Sequence, residues 1–97
     1  MKIISVLGFV AAALTSLSYV PQLQKALPKD STGDLSLKML VALFAGLALW
    51  IVYGLMVKDV VIVIANCVGT ALVGVVLGCK VRDIMAQQRE KFEFKEG

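Results

Sequence analysis

Three long apolar stretches, separated by short polar connections, are the main pattern of this chain. Residues 3–24, 39–57 and 60–79 contain no Asp, Glu, Lys, Arg or His. Each stretch has about 20 residues, which is enough for an α-helix to cross a hydrocarbon core of roughly 30 Å. The pattern predicts an all-α membrane protein with three transmembrane helices, at about residues 3–27, 37–56 and 60–79.

The two connections predict different geometries. Pro28–Ser36 is polar and rich in turn-forming residues, and Ser36 is placed to cap the second helix. Residues 57–59 form so short a link that the second and third helices are expected to pack as an antiparallel hairpin. Residues 1–80 are therefore predicted to form the transmembrane unit. Residues 81–97 are predicted to be a charged tail that continues the third helix briefly and then frays.

The composition also indicates a lipid environment. The chain is 59% hydrophobic and 18% charged, whereas a soluble domain has about 25% charged residues. A secretory signal peptide is an alternative for the first stretch, because Lys2 precedes an apolar run that contains the small residues Ala11–Ala13. This run extends to Gln24, beyond the length of a usual signal-peptide core, so a retained helix is favoured.

The basic residues indicate the orientation in the membrane. With three crossings, Lys2 and Lys58 lie on one side and the other eight basic residues lie opposite: Lys25, Lys29, Lys38, Lys80, Arg82, Arg89, Lys91 and Lys95. By the positive-inside rule the side with eight is cytoplasmic, which places the N-terminus outside and the C-terminal tail in the cytoplasm. The net charge of +3 comes without a basic stripe or an RNA-binding motif, so no nucleic-acid partner is predicted.

The remaining composition argues against enzymes and metal sites. Cys67 and Cys79 lie twelve residues apart on one predicted helix, a rise of about 18 Å, which is too far for a disulfide within the chain. The sequence has no His, and none of the three apolar stretches contains a carboxylate, so no metal site or cofactor is predicted. It also offers no nucleophile–base pair, so an enzyme is not expected.

Trp50 and Asn66 are polar or amphipathic residues deep inside predicted spans. Each lies roughly 10 Å from the nearer helix end. An indole face can stack on the apolar face of a sugar ring, and an amide can both donate to and accept from hydroxyl groups. This pair is therefore a candidate sugar site. In the alternative interpretation, which stays open at this stage, Asn66 bonds another helix and Trp50 fills space.

Proline and glycine residues predict how the helices bend and pack. Pro21 removes a hydrogen bond within the first helix, so the helix is expected to kink there, either as a hinge or as a static bend. Four glycines are predicted to allow close helix packing rather than ligand binding. These are Gly46, Gly54, Gly74 and Gly78.

A series of short motifs runs in order along the chain: Pro21-Gln22, Asp34-Leu35-Ser36, Leu49-Trp50, Tyr53-Gly54, Asp59 and Ala65-Asn66. In order and spacing they resemble the bacterial SemiSWEET sugar transporters of the PQ-loop group, over about residues 4–80. The resemblance implies a three-helix bundle, with the third helix packed between the first two, and a parallel homodimer. It also implies a bacterial inner-membrane location and facilitative transport of mono- or disaccharides.

The resemblance further implies roles for individual residues. Trp50 and Asn66 from both copies would enclose the sugar as the substrate-binding residues. Pro21 and Gln22 would form the hinge.

The resemblance also implies an extracellular gate, but this chain lacks one residue that several family members have there. Tyr53 and Asp59 would help to close the extracellular side. Several family members have an arginine two residues before this aspartate, whereas here that position is Val57, followed by Lys58. A gate of tyrosine, arginine and aspartate therefore cannot be carried over whole.

The distribution of acidic residues favours passive transport. All seven lie in connections or in the tail: Asp30, Asp34, Asp59, Asp83, Glu90, Glu93 and Glu96. No span then contains the buried carboxylate or His that proton-coupled carriers use. The sequence thus predicts a sugar uniporter that works by alternating access, with the sugar, the lipid bilayer and a second copy as its partners.

Two alternative functions stay open at this stage. One is a PQ-loop carrier of another small metabolite, although the absence of charge within the spans disfavours a zwitterionic cargo. The other is a holin-like pore former or an accessory membrane subunit, which would not need Trp50, Asn66 and Pro21 in this order.

Overall fold

The computed structural model describes residues 2–96, and these residues form three helices and no strand. Helix α1 spans Ile3–Ala26, α2 spans Leu37–Met56 and α3 spans Val60–Glu96. All three are long and apolar enough to cross a membrane. The prediction of an all-α membrane protein with three spans is confirmed.

Helix α3 is the central element of the bundle. It packs against both α1 and α2, whereas α1 and α2 make no helix–helix pairing with each other within residues 2–96. This arrangement confirms the expectation that the third helix lies between the first two. The molecule is elongated, with extents of 65 × 25 × 14 Å.

The link between α2 and α3 is fixed by backbone and side-chain caps. The amide of Asp59 donates to the carbonyl of Gly54 at 2.9 Å and that of Lys58 donates to the carbonyl of Leu55 at 3.3 Å. With Lys58 in the left-handed region at φ 57°, this is the Schellman ending of a helix. Asp59 Oδ1 then accepts from the amide of Ile62 at 3.2 Å and caps the start of α3. The expected tight hairpin therefore forms, and we call this end of the bundle the link end.

The connection between α1 and α2 lies at the opposite end, which we call the tail end. It runs from residue 27 to residue 36 and contains turns, as predicted. Ser36 caps α2, because its hydroxyl oxygen accepts from the amide of Met39 at 3.2 Å. Asp30 adopts the left-handed conformation, with φ 64°, and reverses the chain within this connection.

Helix α3 does not fray after its apolar part. It has 37 residues, a length of about 55 Å, and about 25 Å of it lies beyond Cys79. The expectation of early fraying is wrong. Arg82 and Asp83, just after Cys79, form hydrogen bonds with the α1–α2 connection, and most of residues 84–96 are of types that favour a helix. The boundary at residue 80 remains a sequence-based prediction.

Buried side chains concentrate near the tail end. The buried hydrophobic cluster consists of Ala26, Leu40, Val73, Val76 and Cys79. Towards the link end the helices meet through small residues instead. A Cβ atom on Gly8 would lie 2.9 Å from Val61 Cγ1, so α1 and α3 approach closely there.

Of the four glycines predicted to pack helices, two do so in this chain. A Cβ atom on Gly54 would lie 2.8 Å from Ile62 Cγ2, and one on Gly74 would lie 3.1 Å from the ring of Phe44. Gly46 and Gly78 pack against no helix of the same chain, because no atom of the described residues lies within 4 Å of such a Cβ. Their faces of α2 and α3 are open.

Candidate functional site

Trp50 and Tyr53 form an aromatic corner on the outer face of α2. Their ring centroids are 5.4 Å apart and their planes are perpendicular. Both side chains are about half exposed, at 53% and 50%. Together with Gly46 and Leu49 they line an open hollow of about 530 Å³. A flat aromatic face is therefore available to a ligand or to a second protein chain.

Asn66 lies at a second hollow, of about 260 Å³, between α1 and α3. The amide nitrogen of Asn66 donates to the carbonyl of Ile62 at 2.8 Å, one turn earlier in the same helix. The hydroxyl of Thr70 donates to the backbone carbonyl of Asn66 at 2.6 Å. The amide thus bonds its own helix rather than another one, and its side-chain oxygen has no partner within residues 2–96. Small and polar side chains of α1 share this hollow: Gly8, Ala11, Ala12, Thr15, Ser16 and Tyr19.

Trp50 and Asn66 lie at the same depth but open into different hollows. Trp50 precedes the end of α2 by six residues and Asn66 follows the start of α3 by six, so each is about 9 Å from the link end. A single chain does not bring them into one pocket. A shared chamber would need a second copy, and the assignment of these two residues to substrate binding stays a prediction.

Pro21 and Gln22 lie in the last third of α1, and both are exposed. The helix continues through Pro21 without interruption. Their assignment to a hinge stays a prediction. The end of the same helix is fixed in place, because Ala26 is fully buried in the tail-end cluster.

Asp59 has a structural role that is independent of any gate. Its carboxylate caps α3, and it forms no ion pair with Lys58 among residues 2–96. The ring of Tyr53 contacts that of Trp50, and the Asp59 carboxylate accepts from Ile62 rather than from Tyr53 among residues 2–96. The gate assignment of Tyr53 and Asp59 remains a prediction that would require a second copy to complete it.

The sequence did not single out a group of polar residues at the tail end. The side chain of Asp83 is 3% exposed and pairs with Arg82 at 2.8 Å. Arg82, followed by Thr32, holds the pKa of Asp83 far below its usual value of 3.8 by hydrogen bonding to the ionised carboxylate. In turn, the bond to Asp83 raises the pKa of Arg82. We call Arg82 and Asp83 the tail-end clamp.

These features define the class of protein: a small multi-span membrane protein with a hollow between two helices that is lined by small side chains and a few polar ones. Residues 2–79 match the sequence profile of the family described as "Sugar efflux transporter for intercellular exchange". The chain belongs to this family.

Individual relatives support the same assignment. The chain is 40% identical over 80 residues to "Sugar transporter SemiSWEET" of Bradyrhizobium diazoefficiens, covering 82% of this chain and 93% of the relative. It is 35% identical to the protein of the same name from Leptospira biflexa, covering 81% and 93%. A solved structure described as SemiSWEET in the inward-open conformation aligns with a TM-score of 0.79 at 29% identity, over the whole of both chains.

Proposed function

We propose that this protein is a sugar uniporter that moves a mono- or disaccharide across the membrane by alternating access. The observation that carries the proposal is the half-exposed ring of Trp50 at the same depth as the amide of Asn66, in a member of a sugar transporter family. Neither residue is fully used by contacts within the chain. Both are therefore free to serve a ligand.

The chemistry of the two side chains fits a sugar. The ring of Trp50 offers an apolar face for the C–H face of a pyranose, and Tyr53 supports it edge-on. Asn66 uses one N–H for the carbonyl of Ile62, which leaves its second N–H and its side-chain oxygen for hydroxyl groups. The same short bond restricts the rotation of the amide and so orients these groups.

The working unit in this proposal is a parallel homodimer in the bacterial inner membrane. Three helices line only part of a pathway, and a second copy related by a two-fold axis would bring the two hollows of each chain to a common chamber. Each copy crosses the membrane three times, with its N-terminus outside and its tail end in the cytoplasm, according to the positive-inside rule. Pro21 and Gln22 would act as the hinge, with Tyr53 and Asp59 at the extracellular gate.

Transport is proposed to be passive. The acidic residues lie in the connections, at the start of α3 or on the part of α3 beyond Cys79, and none of them lines either hollow. Sugar flux should therefore follow the sugar gradient alone.

Counterflow in proteoliposomes tests the site. Trp50→Ala removes the stacking face and Asn66→Ala removes the amide, so each is expected to lower exchange of the transported sugar by at least about tenfold. Val52→Ala is the control, because Val52 is exposed to nearly the same extent as Trp50, at 52%, but lines neither hollow. A panel of labelled sugars and a set of small non-sugar metabolites are compared with the wild-type protein.

The outcomes separate the candidate functions. Loss of exchange in both variants, with normal exchange in Val52→Ala, supports the proposal. Normal exchange by either site variant at equal expression contradicts the site. Exchange of a non-sugar metabolite alone indicates a carrier of a different cargo, and leakage of all small solutes indicates a pore former.

A further inference from the structure

The carboxylate of Asp83, on α3, holds the α1–α2 connection against this helix through hydrogen bonds. It accepts from the amide of Asp30 at 3.1 Å and from the amide and hydroxyl of Thr32 at 3.1 and 2.6 Å. It also accepts from Arg82 Nε at 2.8 Å. Thr32 is fully buried and Asp83 is 2% exposed. A buried charge must be hydrogen-bonded, and four donors already satisfy this carboxylate. It is therefore not available to a ligand.

Arg82 fixes the end of α1 in the same way. Its Nη1 donates to the carbonyl of Leu27 at 2.8 Å, and its Nη2 donates to the carbonyls of Ala26 and Pro28 at 3.1 and 2.9 Å. Ala26 is the last residue of α1 and Leu27 is its cap, so their carbonyls lack partners within the helix, and a cation is favoured there by the helix dipole. The carbonyl of Pro28 lies just beyond the helix and also accepts from the hydroxyl of Ser31 at 2.6 Å. Arg82 therefore caps a different helix from the one that carries it.

The clamp holds Ala26, which lies five residues beyond Pro21. The side chain of Ala26 is also buried against the same face of α3 that carries Val73 and Val76. Opening the clamp would leave a buried carboxylate without its partners, which is unfavourable. The end of α1 is therefore held to α3 both by apolar packing and by charged hydrogen bonds, whereas its first residues approach α3 closely at Gly8.

We propose that Arg82 and Asp83 are positioning residues for transport, which join the part of α1 beyond Pro21 and residues 27–36 to α3 as one rigid body. Movement of α1 is then confined to the part before Pro21. Without the clamp, a bend at Pro21 would swing the short end of the helix and the connection instead of rocking the long part against α3. This inference rests on the proposed function.

The test uses matched charge changes. Asp83→Asn removes the negative charge of the clamp with little change in shape and leaves Arg82 in place. Asp30→Asn makes the same change in the connection, where the clamp uses the backbone amide of Asp30 and where Asn tolerates the left-handed conformation. Arg82→Lys keeps a cation but cannot reach three carbonyls and a carboxylate together, and it serves if Asp83→Asn does not fold.

Amide hydrogen exchange measures directly whether the clamp holds the α1–α2 connection. In Asp83→Asn and Arg82→Lys the protection of the amides of residues 30 and 32, relative to the intrinsic exchange rate of each sequence, is expected to fall at least about tenfold, with no change in Asp30→Asn. Sugar counterflow should slow by about tenfold in the two clamp variants while the dissociation constant for the sugar stays within about twofold. Unchanged amide exchange would overturn the clamp, and a wild-type rate of counterflow with faster amide exchange would overturn its role in transport.

A double-mutant cycle separates positioning from general stability. If Pro21 and the clamp act on one movement, Pro21→Ala combined with Arg82→Lys should be no slower than the slower single variant. Effects on counterflow that multiply would indicate independent contributions and reject the coupling. If the wild-type protein exchanges no sugar, the proposed function fails, while the amide exchange still decides whether the clamp holds the connection.

Discussion

At the scale of single residues, Asp83 and Asp34 show how differently two carboxylates of one chain can be used. Asp34 pairs with Lys25 at 2.6 Å, but both side chains are about 60% exposed, and an exposed pair of this kind contributes little. Hydrogen bonding from Lys25 lowers the pKa of Asp34. Asp83 has a lowered pKa as well, but its carboxylate is buried and holds the α1–α2 connection in place.

The pH dependence of stability should distinguish the two. Because the pKa of Asp83 is lowered by folding, its contribution to stability is complete above about pH 4 and is lost progressively as the pH falls below that value. Asp83→Asn should therefore be less stable than the wild type from pH 7 to about pH 4, with the difference narrowing in stronger acid. Thermal unfolding in detergent measures this. Asp34→Asn is the control and should differ little from the wild type at any pH; a constant deficit of Asp83→Asn down to pH about 2 would contradict the assignment.

At the scale of elements, α3 is a single helix with two kinds of neighbour. Near the tail end it presents one buried stripe, formed by Gly69, Val73, Val76, Cys79 and Asp83. These positions recur at intervals of three and four, as expected for one face of a helix. The stripe passes from apolar residues to Asp83 without a break. The same spacing in the sequence is a signal that Asp83 belongs to the packed face rather than to a free tail.

The α2–α3 contact near the link end should be sensitive to a single methyl group. Gly54→Ala would place a Cβ 2.8 Å from Ile62 Cγ2 and 3.0 Å from Val63 Cγ2. We expect the free energy of unfolding to fall by about 1–3 kcal/mol, because the helices must separate. Gly46→Ala on the same helix meets nothing within 4 Å and should be neutral or up to about 1 kcal/mol more stable through its helix propensity. Equal effects of the two changes, measured by denaturant titration in detergent, would refute this explanation.

Pro21 should affect the rate of transport more than the binding of sugar. Pro21→Ala restores a hydrogen bond within α1 and stiffens it, so sugar exchange should slow by about tenfold while equilibrium binding changes less than about twofold. Pro28→Ala is a suitable control, since it keeps the carbonyl that Arg82 uses and lies outside α1. A Pro21→Ala protein that exchanges sugar at the wild-type rate would mean that the proline is a static feature.

At the scale of the whole molecule, a single chain buries very little of its three apolar spans. In the apolar part of α1 no residue is buried, and in those of α2 and α3 few are, at 11% and 17%. Lipid covers apolar side chains well, but it does not satisfy the polar groups that line the hollow of Asn66. A second copy would cover those groups and the open faces of Gly46 and Gly78.

A tandem protein tests the dimer. Because each copy has an odd number of spans, two copies joined by an apolar helix of about 20 residues would be parallel, whereas a soluble linker would invert the second copy. We expect sugar uptake by the helix-linked tandem and at least about tenfold less when Asn66→Ala is placed in one half, because both halves line one chamber. Robust uptake by a soluble-linker tandem with inverted halves would contradict the parallel dimer.

The sequence was sufficient for the three helices, the hairpin and the cap at Ser36, because lipid and local hydrogen bonding dictate these directly. Helical spacing can put Asp83 on the packed face, but the sequence could not identify the partners of Arg82 and Asp83, which are mainly backbone groups more than fifty residues away. It also could not distinguish Gly54 from Gly46, because both follow the same spacing and differ only in what lies opposite them. Whether Trp50 and Asn66 meet depends on a surface of another copy, which no pattern within one chain specifies.

Because α3 is one continuous helix, a small rotation of the bundle moves the C-terminal end of α3 over a larger distance. The part of α3 beyond Cys79 is about 25 Å long and magnifies any rotation at its base: a tilt of about 10° displaces its tip by about 4 Å. Phe94, near that tip, is 87% exposed, so a probe attached there would disturb no packing. Once Cys67 and Cys79 are replaced, the separation of two such probes in a pair of copies would record each turnover as a change in distance, far from the sugar itself.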